Sequence, residues 1–166
     1  MNIKKQFVKL AEDEAKNNSL YLWGGQGETV LKTDPKKLLK METSAANVAR
    51  ILKCLANKLT TGANVDKAKY FDCSGLIVYL LQILGLIQDD YTADGIYRKL
   101  CTPIKRSELV PGDLVFISTG TKITHCGIYV AENIVVEAVG RDYGIQRRLI
   151  NKNGWNVFGR VNAFEK

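Results

Sequence analysis

Cys73 and His125 are the residues of this chain best placed to do chemistry. Cys73 lies in Asp72-Cys73-Ser74-Gly75 and opens an apolar, helix-like run; His125, the only histidine, opens the strand-like run His125-Cys126-Gly127-Ile128-Tyr129-Val130. An ordinary thiol, with a pKa of about 8.5, is mostly protonated at neutral pH. Free backbone N–H groups at a helix start and a nearby imidazolium each stabilise the thiolate. An imidazole held on a sheet strand stays aimed at its partner. The pair predicts a cysteine hydrolase. His125 would return its proton to the departing amine, and N–H groups at the same helix start would stabilise the oxyanion.

A third group usually orients the imidazole, and Glu137 is the candidate. Its side depends on the hairpin that joins the strands at Ile123–Val130 and Ile134–Val139. A two-residue turn at Glu132-Asn133 pairs Ala131 with Ile134 and sends Glu137 to the face opposite His125. A three-residue loop, 131–133, pairs Val130 with Ile134 and Gly127 with Glu137, which puts Glu137 diagonal to His125 on one face. The assignment of Glu137 therefore requires an odd-length turn. Flanked by Val135, Val136, Ala138 and Val139, it also fits the solvent-facing position of an edge strand.

Helices come first along the chain. Residues 3–16 carry Ile3, Phe7, Leu10 and Glu14 at helical spacing, and Asn17-Asn18-Ser19 ends the run. Tyr21-Leu22-Trp23-Gly24-Gly25-Gln26-Gly27 is an aromatic segment entering a glycine-rich bend, without the spacing or the Gly-Lys-Ser/Thr of a P-loop. In the next stretch, Thr33-Asp34-Pro35 signals a turn or helix start. Thr43 or Ser44 caps a predicted helix to about Leu59, with Val48, Ile51, Leu52, Leu55 and Leu59 on one face. From Cys73 the run is apolar nearly all round, as in a buried helix, with Asp72 as its cap; a further helix follows Thr92 through Leu100. After Pro103 the pattern turns to strands: 114–117, 123–130, 134–139, 146–150 and 157–163. Helices packed on an antiparallel sheet make an α+β fold.

The chain has 166 residues, which predicts a single domain, 1–166. Its 24 Lys and Arg against 17 Asp and Glu leave a net charge of +7, which favours anionic partners. The lysines are scattered, with no Arg-rich helix or aromatic–basic array, so no nucleic-acid partner is expected. No apolar stretch is long enough for a membrane span. The basic start has no apolar h-region after it, since Lys9, Glu12, Asp13 and Glu14 interrupt, so no signal peptide is recognisable. Four cysteines allow two disulfides by arithmetic, but they form no C-x-x-C pair, and one histidine leaves few zinc ligands. Cys54 and Cys126 read as small buried hydrophobes, and Cys101 has no assignment. No metal or organic cofactor is implied.

Three motifs, in this order, resemble the NlpC/P60 family of peptidoglycan-cleaving cysteine peptidases: Asp72-Cys73-Ser74-Gly75-Leu76, Pro111-Gly112-Asp113-Leu114-Val115-Phe116 and His125-Cys126-Gly127-Ile128-Tyr129-Val130. Tyr21-Leu22-Trp23-Gly24-Gly25 is similar to an upstream family segment, and Phe158-Gly159-Arg160-Val161 to its last strand. The resemblance implies a papain-like fold with Cys73 as nucleophile and His125 as base. It places the third, polar residue twelve positions after the histidine, at Glu137, where histidine is commonest in the family. Tyr21 corresponds to a hydroxyl that serves the oxyanion site or positions substrate; Asp72 and Ser74 correspond to substrate-positioning residues on the S2 side. A departure lies between Gly25 and Asp72, where relatives have far fewer residues. The extra helical segment, at about 28–69, is expected to be a lid or wall of the groove, or a neutral packing addition.

The implied activity is endopeptidase cleavage of peptidoglycan stem peptides or muropeptides, at the bond between D-γ-glutamate and the diamino acid. An amidase, an acyl or peptidyl transferase and a non-catalytic wall-binding module are the alternatives. The basic charge also suits anionic wall polymers. The sequence has no SH3-like, LysM or choline-binding repeat beside the domain. With no recognisable signal, this points to a phage lysin, a tail-associated hydrolase or an effector delivered to the bacterial wall by other machinery.

Overall fold

The computed structural model describes residues 2–165. Helix α1 (Ile3–Lys16) starts at the Asn2 side-chain cap and buries Phe7, Ala11 and Glu14. Asn18, with φ of 60°, turns the chain out of it. Strand β1 (Leu20–Tyr21) follows, then β2 (Gln26–Thr29), α2 (Pro35–Met41) and α3 (Ala45–Thr60). Asp34 caps α2 with Pro35 at its first turn, and the Ser44 hydroxyl caps α3 by accepting from the Asn47 N–H. β3 (Lys69–Phe71) leads into α4 (Cys73–Ile83), and Ala93–Gly95 (α5) continues as a π-helical turn, Ile96–Leu100. Then come β4 (Cys101–Pro103), β5 (Leu114–Ser118), β6 (Ile123–Ala131), β7 (Ile134–Gly140), β8 (Gly144–Leu149) and β9 (Val157–Val161).

The six later strands form one antiparallel sheet in the order β4-β9-β5-β6-β7-β8. Against it lie α1 and α4, whose Phe7, Leu76, Ile77, Leu80 and Leu81 meet Phe116, Cys126, Ile128 and Val136 in the main core. Helix α4 is buried on most sides, as its apolar run requires. Behind the sheet, Trp155, Phe158 and Tyr129 form a smaller cluster. This is the expected α+β architecture.

Besides the short strand β4 and the π-helical turn before it, two larger features depart from expectation. The first is a second, three-stranded sheet, β1-β3-β2, with β1 and β3 parallel. The segment 28–69 loops out between β2 and β3 and packs Leu38, Val48, Ile51 and Cys54 on Leu20, Leu22 and Tyr70. The second is on α3: Leu52 and Leu59 are exposed, at 39% and 52%, so the buried stripe is narrower than predicted. All four cysteines are free; Cys54, Cys101 and Cys126 are buried.

The sheet motifs have physical reasons. Asp113 is fully buried and accepts from Arg160 Nε at 3.0 Å and Nη2 at 2.8 Å, which joins the Pro-Gly-Asp turn to β9. Gly112 sits at φ of 99°, and a side chain there would strike the Lys4 stem.

Candidate active site

Cys73 is the first residue of α4, and the chain around it is locked by contacts that tolerate no side chain. A Cβ on Gly75 would lie 2.0 Å from the Gly25 carbonyl oxygen, and one on Gly25 would press on the Tyr70 and Phe71 backbone at 3.0 Å. The Asp72 carboxylate accepts from the Gly75 N–H at 2.6 Å and the Gly24 N–H at 2.9 Å, with the Ser74 hydroxyl at 3.4 Å. It thus caps the helix and ties it to the Tyr21–Gly25 segment. Burial first, then the nearby Cys73, raises the Asp72 pKa. The N–H groups of Cys73 and Ser74, in the first turn, have no carbonyl partner within the helix.

His125 and Glu137 meet at 2.7 Å, Nε2 to Oε2, so the other ring nitrogen, Nδ1, is left for the sulfur. The device that puts them on one face differs from the one expected. The turn is two residues long, with Ala131 paired to Ile134, yet Tyr129 pairs with Val135 and Ile128 with Val136. A bulge at Val130 supplies the odd residue and restores the register in which Gly127 opposes Glu137. Glu137 is no edge position: it is 1% exposed and β8 covers its strand. Arg148 donates to Oε1 at 3.2 Å and Asn153 to Oε2 at 3.1 Å, so the carboxylate is fully engaged.

The imidazole stacks on Trp155, with ring centroids 5.2 Å apart and planes within 16°. Gly127 makes this possible, because a Cβ there would meet the Trp155 ring at 3.0 Å and Val135 at 2.8 Å.

Electrostatics around the sulfur favour the ion pair. The Cys73 pKa is lowered to about 4, first by hydrogen bonding from the Cys126 thiol, then by His125 and the Cys126 backbone, against the effect of burial. The His125 pKa is raised to about 9: burial opposes this, and hydrogen bonds and charges from Cys73 and Glu137 overcome it. Thiolate and imidazolium therefore coexist at neutral pH. Tyr21, on β1, feels the charges of Cys73 and Asp72; burial foremost, and then those charges, push its pKa up to about 12, so the phenol stays protonated.

Every residue singled out in the sequence thus lies in this region: Cys73, His125 and Glu137 together, Asp72 and Ser74 at the helix start, and Tyr21 close enough to sense Cys73. Cys126, Arg148, Asn153 and Trp155 were not foreseen as site residues. Cys126 had a readable signal, since the residue after His125 must face the core where α4 lies. Trp155 had none, because it arrives from a loop.

Residues 57–159 match the NlpC/P60 family. This chain belongs to that family. Among curated relatives, it is 35% identical over 121 residues to the probable endopeptidase p60 of Listeria grayi, covering 70% of this chain and 22% of that protein. It is 36% identical over 88 residues to the murein DD-endopeptidase MepH of Escherichia coli K12, over 51% of this chain and 32% of that one. The chain thus spans about a fifth to a third of the length of these two relatives. The NlpC/P60 fold recurs in RipD of Mycobacterium tuberculosis, a non-catalytic domain protein, with a TM-score of 0.63 at 16% identity, over 97% of this chain and 98% of that one. It recurs in the peptidoglycan hydrolase RipB of the same organism, with a TM-score of 0.59 at 19% identity, over 95% of this chain and 66% of that one. Since the fold serves both a hydrolase and a non-catalytic protein, side-chain chemistry must decide the activity.

Proposed function

We propose that this chain is a cysteine peptidase that hydrolyses peptidoglycan stem peptides at the D-γ-glutamyl–diamino acid bond. The observation that carries the reading is the contact of His125 with the buried Glu137 at 2.7 Å, beside a thiol whose pKa is lowered to about 4. Such an arrangement stabilises thiolate–imidazolium, the state from which a cysteine peptidase works.

The Cys73 thiolate attacks the amide carbonyl carbon. The oxyanion is held by the Cys73 N–H at the α4 start and by the protonated Tyr21 hydroxyl. His125 gives its proton to the leaving amine, the C–N bond breaks, and a thioester to Cys73 remains. A water then loses its proton to His125 and attacks the thioester, releasing the acid and restoring the ion pair. Glu137 keeps the imidazole oriented and stabilises its charged form. Asp72 positions the helix start and, with Ser74, borders the substrate. The catalytic unit in this reading is residues 1–166, with 28–69 as an inserted helical segment. Its place of action is the bacterial wall, where the net charge of +7 favours anionic polymers.

Mass spectrometry of muropeptides incubated with the protein, with Cys73→Ala in parallel, tests this. Products cut after D-γ-glutamate and absent with the variant support it. An intact released stem indicates an amidase, and acyl products joined to an added amine indicate a transferase. No product from muropeptides or sacculi, together with sacculus binding, indicates a non-catalytic module.

A further inference from the structure

Glu42 is the most heavily engaged residue of the 28–69 segment, although it is charged and its side chain is fully buried. It lies in the turn between α2 and α3. Its Oε1 accepts from Arg141 Nη2 at 2.6 Å and from the Thr43 N–H at 2.9 Å; its Oε2 accepts from the Trp23 N–H at 3.3 Å. Trp23 is two residues beyond Tyr21. The Arg141 guanidinium lies over the Tyr21 ring, 5.1 Å from its centroid. One carboxylate therefore holds both the turn that follows the Tyr21 strand and the cation on the Tyr21 ring.

Arg141 belongs to the β7–β8 turn, and the same segment grips that turn a second time. Arg50 of α3 donates to Asp142 through Nε at 2.9 Å and Nη2 at 2.7 Å. Arg141 Nε is buried with no acceptor among the described residues, and Glu42 and the Tyr21 ring hold the guanidinium in place. A flat guanidinium can stack and bond in its plane at once, which a lysine cannot. The cation also faces a phenol otherwise surrounded by the negative charges of Cys73 and Asp72, and offsets them.

We propose that Glu42 and Arg141 are positioning residues for Tyr21. The 28–69 segment supplies, through Glu42, the buried counter-ion that keeps Arg141 on the Tyr21 ring and aims the Tyr21 hydroxyl at the Cys73 site. This rests on the reading of Tyr21 as an oxyanion donor. It makes the segment part of the active site rather than a neutral addition.

The test compares Glu42→Gln, Arg141→Lys, Tyr21→Phe and the Glu42→Gln/Tyr21→Phe double variant. Muropeptide turnover is one readout. The other is fluorine NMR of protein carrying 3-fluorotyrosine, with the Tyr21 signal identified by its loss in Tyr21→Phe. Glu42→Gln and Arg141→Lys are each expected to lower kcat about tenfold through misplacement of the hydroxyl, with KM changed less than about twofold. In the Tyr21→Phe background Glu42→Gln should add nothing, and in the single variants the Tyr21 fluorine signal should shift. A loss that multiplies with Tyr21→Phe, or an unmoved fluorine signal in Arg141→Lys, overturns the proposal. Absence of turnover in the unmodified protein would sink the cleavage reading, and the fluorine signal would then decide the positioning by itself.

Discussion

Two buried glutamates lie near Cys73 on different parts of the molecule, Glu137 beside His125 and Glu42 beside the Arg141–Tyr21 pair, and only one could be found by reading the chain. Glu137 and its partner His125 are 12 residues apart on adjacent strands; Glu42 and Arg141 are 99 apart, in a helical turn and a hairpin. Within a hairpin, the alternation of side chains turns a register into a list of contacts. Between a helical excursion and a distant turn no such rule operates, and only the packed structure joins them. The His125 side changes protonation at about pH 4 and about pH 9, through Cys73 and His125, whereas the Arg141 side stays charged throughout: hydrogen bonding to Glu42 raises the Arg141 pKa further. In the proposed reading one side sets the protonation of the site and the other its geometry.

The harshest way to break the comparison is on the Cys73–His125 side. Cys73→Ala should abolish muropeptide cleavage. His125→Asn should lower it by about 10²–10⁴-fold, the span of a general acid–base contribution. Glu137→Gln keeps the shape and the Asn153 contact but not the charge, and should cost about a hundredfold in kcat. A loss below about twofold in a direct turnover assay would mean that Glu137 is buried for the sake of Arg148 and Asn153 instead.

The pH dependence sharpens the contrast. With the Cys73 pKa lowered to about 4 and that of His125 raised to about 9, the ion pair exists between those limits. Below the lower limit the thiolate takes up a proton, and both alkylation by iodoacetamide and turnover fall. Above the upper limit the imidazolium has lost the proton the leaving amine needs, so turnover falls while alkylation continues. Glu42→Gln should lower the plateau and leave both limbs where they are. A moved limb would show that the two glutamates do not divide the work in this way.

Cys126 gives a smaller, more local test. The sequence reading as a buried hydrophobe is right about its place and silent about its neighbour: its thiol heads the groups that lower the Cys73 pKa. Cys126→Val keeps the bulk and the backbone N–H but removes the S–H donor. The pH at which Cys73 alkylation sets in should rise by about one unit. An unchanged onset would assign the lowered pKa to His125 and the helix start alone.

What was legible follows from how local each signal is. Asp72, Ser44 and Asp34 announce helix starts because caps act within three residues. The bulge at Val130 has no such mark, so the register of Glu137 was right while the turn length was not. The β1-β3-β2 sheet stayed hidden because β1 has two residues and pairs in parallel with a strand beyond the whole 28–69 excursion.

Helix α3 shows where periodicity stops and calls for the mildest substitutions. Helical spacing placed Leu52 and Leu59 on one face with Val48 and Ile51, but α3 packs on a single small core that includes Leu20, Leu22, Leu38 and Tyr70. Ile51 faces it, fully buried; Leu52, one residue on, is turned about 100° away, and Leu59 lies near the end of the helix. Ile51→Ala should cost about 2–5 kcal/mol in urea unfolding. Leu52→Ser and Leu59→Ser should each change stability by less than about 0.5 kcal/mol. If Leu59→Ser cost as much as Ile51→Ala, α3 would have to lie on its neighbours by a different face. Glu42, just ahead of its cap, would then be aimed elsewhere too, since the packing of α3 fixes the turn that presents that carboxylate to Arg141.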